Sequence, residues 1–381
     1  MDNCHLCNHE LFANPILQLK GVPKAAQYYP EENEFAEDVG ITLTIRQCSF
    51  CGLVQHRMQP VDYYKEVITA ATLLKKSRLS RLNQMKVFAE KFGLNGKKVL
   101  DIGASKGEMV DILNEAGFKA VGIEAAEESV KAGRSAGRKI IHGYIGDYIG
   151  DLKKVDGSPY DAFILLNYLE HLPKPGAIIR NIHHNTTVDA VGFVTVPNLD
   201  YLLKTKAFYE FVADHISYFS ANTLTYAFEA NGFEVLECRT INEDNDIAAF
   251  VRKKSALNLS PQYVEVEALI KNFQRIIAEY KVKGGRIAIW GAGHRTLALL
   301  ALSKANDIAF VVDSAKFKQD KFAPIIHIKI VSPDYLKENK VDLVIIMVPG
   351  LYPSEVLKTL KQMEVEVEVA TLHNNKIEFN I

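Results

Sequence analysis

Lys98-Val-Leu-Asp-Ile-Gly-Ala-Ser-Lys-Gly107 decides the fold. Its apolar start reads as a buried strand, and the residues after Gly107 open a helical pattern. Gly103 and Gly107 let the backbone turn tightly and approach a ligand closely. A dinucleotide fingerprint would read G-x-G-x-x-G. Here Ser105 replaces the middle glycine and Asp101 precedes the first. Outward from this loop the chain alternates strand and helix patterns. The strands are 98–102, 120–124, 139–141, 160–166 and 191–196. This is a βαβ series and predicts an α/β fold with a parallel sheet. A helix over 261–280, with Leu269, Phe273, Ile276 and Tyr280 on one face, leads to Gly284-Gly285. Beyond these glycines a second series begins, with strands at 287–290, 308–312 and 341–348.

Upstream lie two C-x-x-C pairs, Cys4–Cys7 and Cys48–Cys51, which account for four of the five cysteines. Four thiolates suit tetrahedral zinc in a closed structural site. Gly52 after the second pair supplies a residue free to turn. His5, His9 and His56 lie near, but four cysteines already fill such a site. The start Met-Asp-Asn-Cys lacks an apolar run, so a signal peptide, disulfides and an oxidising compartment are not expected. Cys238 reads as a small buried apolar residue. The expected organisation is a zinc-binding module over 1–60, a domain with a helical lead-in over 61–255, a linker helix over 256–283 and a second Rossmann-like domain over 284–381.

Composition narrows the partners. The 381 residues carry 45 basic and 46 acidic side chains, a net charge of −1, with 48% hydrophobic and 24% charged residues. No basic stripe points to nucleic acid, and no apolar stretch has the ~18 residues a membrane span needs. A soluble, cytoplasmic protein with a small-molecule substrate is expected. Composition sets no oligomeric state, and a monomer is compatible with it.

The D-x-G-x-x-x-G loop resembles motif I of class I S-adenosylmethionine-dependent methyltransferases. In that family the loop passes under the amino-acid and ribose parts of the cofactor. The resemblance implies cofactor contacts from Asp101, Gly103, Ala104, Ser105 and Gly107. It also implies that Glu124, ending the next strand, accepts from the ribose hydroxyls. Asn167-Tyr-Leu-Glu-His171 follows the fourth strand and is similar to the family's stretch beside the transferred methyl.

Asp214-His215-Ile-Ser-Tyr218-Phe219-Ser220 is a second dense cluster. Ser220 reads as a helix N-cap, which puts Asp214 and His215 on the loop entering that helix. A histidine can take a proton near neutral pH and a neighbouring carboxylate can orient it; bracing of the loop is the alternative. His171 either faces substrate or caps its strand, and His183-His184 read as solvated helix positions. In the C-terminal series, Gly291-Ala-Gly293-His294-Arg295 opens a helix whose N-terminus favours an anion, and Arg295 suits phosphate. Asp313 ends the following strand as a hydroxyl acceptor. The alternative there is a purely structural domain.

The layout of zinc module, methyltransferase domain and second Rossmann-like domain resembles the sugar C-methyltransferases of deoxysugar pathways, over nearly the whole chain. The segment around Asp313, Lys318-Gln319, Pro324, Ile328 and Ile330 is similar to that family's C-terminal part. The 214–220 loop is similar to the family's active-site segment, with Asp214 where glutamate is usual. The family also has an active-site tyrosine after the zinc module. Tyr63-Tyr64 fall nearby, but Val67-Ile-Thr-Ala-Ala-Thr72 has none. The resemblance implies a nucleotide-activated keto-deoxysugar whose α-proton is removed so that the enolate carbon takes the methyl. His215 would be the base, Asp214 its partner, and Tyr218 and His171 would stabilise the enolate oxygen. An O- or N-methyltransferase of the same architecture and a non-enzymatic binding module are the competing expectations.

Overall fold

The computed structural model describes residues 3–26, 29–61, 63, 65, 75–146 and 152–380. Tyr64 and residues 67–72 lie outside the described residues. Two compact units divide the chain, Met1–Ala256 and Leu257–Ile381.

In the first unit, β1 (Leu17–Val22), β2 (Ile41–Gln47) and β3 (Val54–His56) form an antiparallel sheet. Helix α1 (Lys75–Phe92) follows. Then come β4 (Lys98–Ile102), α2 (Glu108–Glu115), β5 (Lys119–Glu124), α3 (Glu127–Ser135), β6 (Ile140–His142) and β7 (Tyr160–Leu166). The unit continues through α4 (Pro175–His184), β8 (Thr186–Pro197), α5 (Leu199–Thr205), β9 (Ser217–Tyr218) and α6 (Ala221–Glu229). It closes with β10 (Phe233–Ile241) and β11 (Asp246–Lys253).

The seven-stranded sheet has the order β10-β11-β8-β7-β4-β5-β6. Strands β4 to β8 are parallel, as the βαβ pattern predicts. The hairpin β10–β11 departs from that expectation: β11 runs antiparallel to β8. A four-residue turn at 242–245 returns the chain directly, so no crossover helix is needed. The two-residue alternation of a strand sorts its side chains to opposite faces. Leu100, Phe163, Leu165, Val194 and Val196 pack with Ile178, Ile182 and Phe228 of α4 and α6. Val99, Ala162, Ile164 and Phe193 pack with Met85, Phe88 and Leu113 of α1 and α2.

Sheet order reverses at β4. Strands β5 and β6 lie on one side and β7 and β8 on the other, so the loops after β4 and β7 open on one crevice. The cysteine module is joined to this body. Strand β3 pairs with β9, Val54 opposite Tyr218 and Gln55 opposite Ser217. Cys4, Leu6, Leu11, Cys48 and Leu53 share the core beneath α4 and α6.

The second unit opens with α7 (Ser260–Val282). Its Leu269, Phe273, Ile276 and Ile277 are buried in this unit's own core, so the helix packs as part of it. Strand β12 (Ile287–Trp290), α8 (His294–Ser303), β13 (Phe310–Val312), β14 (Ile330–Val331), α9 (Tyr335–Glu338) and β15 (Leu343–Ile346) follow. The chain ends with α10 (Tyr352–Gln362), β16 (Glu368–His373) and β17 (Lys376–Phe379). The sheet order is β14-β13-β12-β15-β16-β17, parallel except for the last hairpin. Asn374 and Asn375 turn that hairpin with φ of 42° and 57°, as a two-residue turn of this twist requires. Among the described residues no helix is long and apolar enough to cross a membrane.

Candidate active site

The loop after β4 is held open by its backbone. Gly103 and Gly107 sit at φ of 75° and 81°, and Ser105 between them is also left-handed at 47°. A non-glycine residue in that region stores strain, which concentrates at functional sites. Ser105 N–H donates to Glu124 Oε2 at 2.8 Å, and Ala126 N–H donates to Glu124 Oε1 at 2.8 Å. Glu124 is thus fixed at the end of β5. Asp101 is 3% exposed, and its Oδ2 has no hydrogen-bond partner among the described residues. Burial, and then the charge of Glu124, push its carboxyl up to about 7. A buried acid with an unpartnered oxygen beside a strained glycine loop fits the ammonium group of S-adenosylmethionine's amino-acid part. Ala104 is buried in the same loop.

Asn167 directly follows β7, at φ 46°. Its amide accepts from Thr195 Oγ1 and donates to Asp246 Oδ1 at 3.3 Å. It lines a cavity of ≈ 360 Å³ together with Glu170, Tyr209, His215, Ser217 and Asp246. Glu170 Oε2 and Ser217 Oγ are buried here without partners among the described residues.

Asp214 and His215 do not form the expected pair. The Asp214 carboxylate accepts from Ala26 N–H at 2.6 Å and from the Tyr63 hydroxyl at 2.6 Å. The chain turns at 212–215, where His215 N–H donates to Val212 O at 3.3 Å, and the Asp214 carboxylate faces Ala26 and Tyr63 while His215 lines the cavity. The Asp214 carbonyl instead fixes the other histidine, His171, whose Nδ1 donates to it at 2.9 Å. A carbonyl can only accept, so Nδ1 carries the proton and Nε2 keeps its lone pair. The rings of His171 and His215 meet edge to face at 4.7 Å. No hydrogen bond to the His215 ring is formed among the described residues. Burial, then His171 and His56, push its pKa down to about 3, so it is neutral across the physiological range.

Tyr218 is also placed differently from the expectation. Its hydroxyl donates to Val212 O and accepts from Val212 N–H, both at 3.0 Å, and the ring is buried. The phenol ties its own loop and has no free proton to offer an enolate. His183 packs edge-on against Phe233 at 5.6 Å and is half-buried rather than solvated.

The four cysteine Sγ atoms lie within 4.8 Å of one another, with Cys4–Cys51 at 3.6 Å and Cys7–Cys48 at 3.5 Å. Tetrahedral zinc with ~2.3 Å bonds to sulfur would set sulfurs about 3.8 Å apart. Backbone N–H groups of Leu6, Phe50 and Cys51 point at Cys4 and Cys48 sulfurs at 3.4 Å, the arrangement that holds thiolates at a metal. His5 and His56 instead bond the carbonyls of His56 and Ala213.

In the C-terminal unit Gly291 turns at φ 109° before α8. Gly293 and His294 are exposed and Arg295 is half-buried at the start of that helix. Asp313 differs from the expected open acceptor. Its carboxylate takes the N–H of Ala292 and of Ala315, each at 2.8 Å, and Lys318 Nζ at 2.9 Å. Burial opposes its ionisation, but these donors outweigh it and hold the carboxyl below its usual range.

Sequence reasoning missed Glu170. It was quoted inside the 167–171 stretch but given no role, and only its burial and lack of partners mark it. Tyr63 was singled out by position alone; its bond to Asp214 spans 151 residues and has no local sequence signal.

Residues 75–238 match a family model described as a methyltransferase domain, and residues 253–367 match one described as a C-methyltransferase C-terminal domain. The C-methyltransferase NovU of Streptomyces niveus is 22% identical over 88% of this chain and 86% of its own length. A ubiquinone biosynthesis O-methyltransferase of Idiomarina loihiensis is 36% identical over 23% of this chain; the match spans only 37% of that protein. The magnesium protoporphyrin IX methyltransferase of Synechocystis, solved with bound SAH, aligns over 51% of this chain and 97% of its own, at 13% identity and a TM-score of 0.39. The chain thus carries a methyltransferase domain followed by a C-methyltransferase C-terminal domain, and along nearly its whole length it is similar to a C-methyltransferase.

Proposed function

We propose that this enzyme methylates carbon next to the ketone of a nucleotide-activated keto-deoxysugar, with His215 as the base. The observation that carries this reading is His215 itself: a neutral, half-buried imidazole without a hydrogen-bond partner among the described residues, lining the cavity beside Asn167. Carbon α to a ketone is not a nucleophile until its proton is taken, so C-methylation needs a base where O-methylation does not. S-adenosylmethionine supplies an electrophilic methyl group. Asp101, Ser105 and Glu124 bind and orient it, Asn167 lies toward the acceptor, and the cavity around Tyr209 and Asp246 admits the sugar. The four cysteines hold structural zinc, which leaves no open coordination position for chemistry. In the C-terminal unit, Gly291, Gly293, His294 and Arg295 form an anion site suited to a nucleoside diphosphate.

Two measurements test this. Calorimetric titration with S-adenosylhomocysteine, then with dTDP, GDP and CDP, is expected to show both a cofactor site and a nucleoside diphosphate site. Incubation of nucleotide keto-deoxysugars in D₂O is expected to exchange the α-hydrogen with wild-type enzyme and not with His215→Ala. Methylation without any α-exchange would mean O- or N-methylation instead.

A further inference from the structure

Glu170, His171 and His215 form a cluster in which an oxygen of Glu170 and a ring nitrogen of each histidine lie within 4.8 Å of one another. Glu170 belongs to the 3₁₀ turn after β7 and is 2% exposed, yet it lines the acceptor cavity. Its Oε2 has no partner among the described residues, and its Oε1 lies 3.9 Å from His171 Nε2. Asp246 in the same cavity is satisfied by the amides of Asn167 and Asn242. A buried ionised carboxylate without donors is costly, whereas a neutral carboxylic acid is itself a donor looking for an acceptor.

We propose that Glu170 is a catalytic acid that protonates the acceptor's carbonyl oxygen while His215 removes the neighbouring α-hydrogen. This rests on the ketone reading above. In the step, the α C–H bond breaks and its proton goes to a His215 ring nitrogen. The C–H electron pair becomes the C=C bond, the carbonyl π pair moves to oxygen, and that oxygen takes the Glu170 proton. The product is an enol, and the pocket keeps its net charge. The new Glu170 carboxylate faces the new imidazolium within the cluster, and this attraction makes so weak a base effective. His171 is a positioning residue, fixed by the Asp214 carbonyl against both partners. When the methylated ketone re-forms, the oxygen returns its proton to Glu170. Burial, with Asp246 adding, pushes Glu170 up to about 8 while His215 is pushed down to about 3, the divergence that separates an acid from a base.

Glu170→Gln keeps the shape and a donor but has no proton to transfer. Infrared difference spectra of wild type against Glu170→Gln, with the whole chain and no acceptor, are expected to show a protonated carboxyl band at neutral pH that fades through pH 8. Absence of that band overturns the proposal whatever the acceptor is. With a ketone sugar in D₂O, α-exchange is expected to fall by roughly 10²-fold in Glu170→Gln, with S-adenosylhomocysteine affinity unchanged. The wild-type rate is expected to fall as pH rises through about 8, a limb absent from the variant. Wild-type exchange that the variant matches overturns the role of Glu170 alone. No exchange by wild type overturns the ketone reading and this acid with it. A Co²⁺ titration that fills a second site and is lost in Glu170→Gln would make these groups ligands and also overturn it.

Discussion

The hydroxyl of Tyr63, just after the cysteine module, donates to the buried Asp214 carboxylate at 2.6 Å, next to the histidine that faces the acceptor cavity. Asp214 takes its second bond from Ala26 N–H. The loop carrying His215 is therefore tied to Ala26 in the cysteine module and to Tyr63 just beyond it, and β3–β9 pairing adds a third link.

Tyr63→Phe leaves that carboxylate one donor short. Removing one partner of a buried polar group costs about 1–3 kcal/mol. Thermal unfolding should shift down by a few degrees, and turnover should fall as His215 loses its fixed position. A variant with wild-type melting and turnover would mean that this bond does not hold the loop.

Tyr218→Phe separates structure from chemistry. Its hydroxyl satisfies both Val212 N–H and Val212 O. The expected outcome is a loss of about 1–3 kcal/mol in denaturant unfolding with α-exchange changed less than tenfold. A loss of exchange comparable with His215→Ala would put the phenol in the reaction.

Asp101 gives a proton-linked signature of cofactor binding. Its carboxyl stands at about 7, above the usual value near 3.9, so below about pH 7 the free enzyme holds a proton there. A bound cation lowers a neighbouring carboxyl's pKa, so S-adenosylmethionine should expel that proton. Calorimetry in buffers of different ionisation enthalpy should find proton release on binding below about pH 7, and little above it. Asp101→Asn should abolish the release.

Cys48→Ser removes one of the four thiolates. Zinc content by atomic absorption should fall from about one per chain, with loss of folded protein, because metal binding and folding are linked. Full metal content with native stability would reassign the cluster.

Arg295→Ala tests the C-terminal loop. A charge-assisted hydrogen bond to phosphate is worth roughly 1.5–3 kcal/mol, so nucleoside diphosphate affinity should fall about tenfold or more. S-adenosylhomocysteine affinity should not change. Equal nucleotide binding would leave the loop a structural turn.

Much of this was legible locally. The glycine spacing at 103 and 107, the acid at 124 and the cysteine pairs are short-range patterns whose chemistry follows from residue type and turn geometry. The β10–β11 hairpin escaped a reading built on crossover helices, because its direction depends on pairing with β8 and not on its own residues. Asp214 shows the same limit. Adjacency to His215 suggested a pair, but in the 212–215 turn the Asp214 carboxylate is taken by Ala26 and Tyr63, partners far away in sequence.

Sequence alone determined the α/β class, the two βαβ series, the four-thiol module and the glycine loop after β4, because strand alternation and glycine turns act within a few residues. Only the tertiary structure decided how the acceptor site is wired. Asp214 grips Tyr63 and Ala26, its carbonyl fixes His171 from 43 residues away, and Glu170 is buried beside two histidines with its Oε2 unpartnered among the described residues. Burial and hydrogen-bond partnership belong to the packed chain, and they set which of these groups holds a proton.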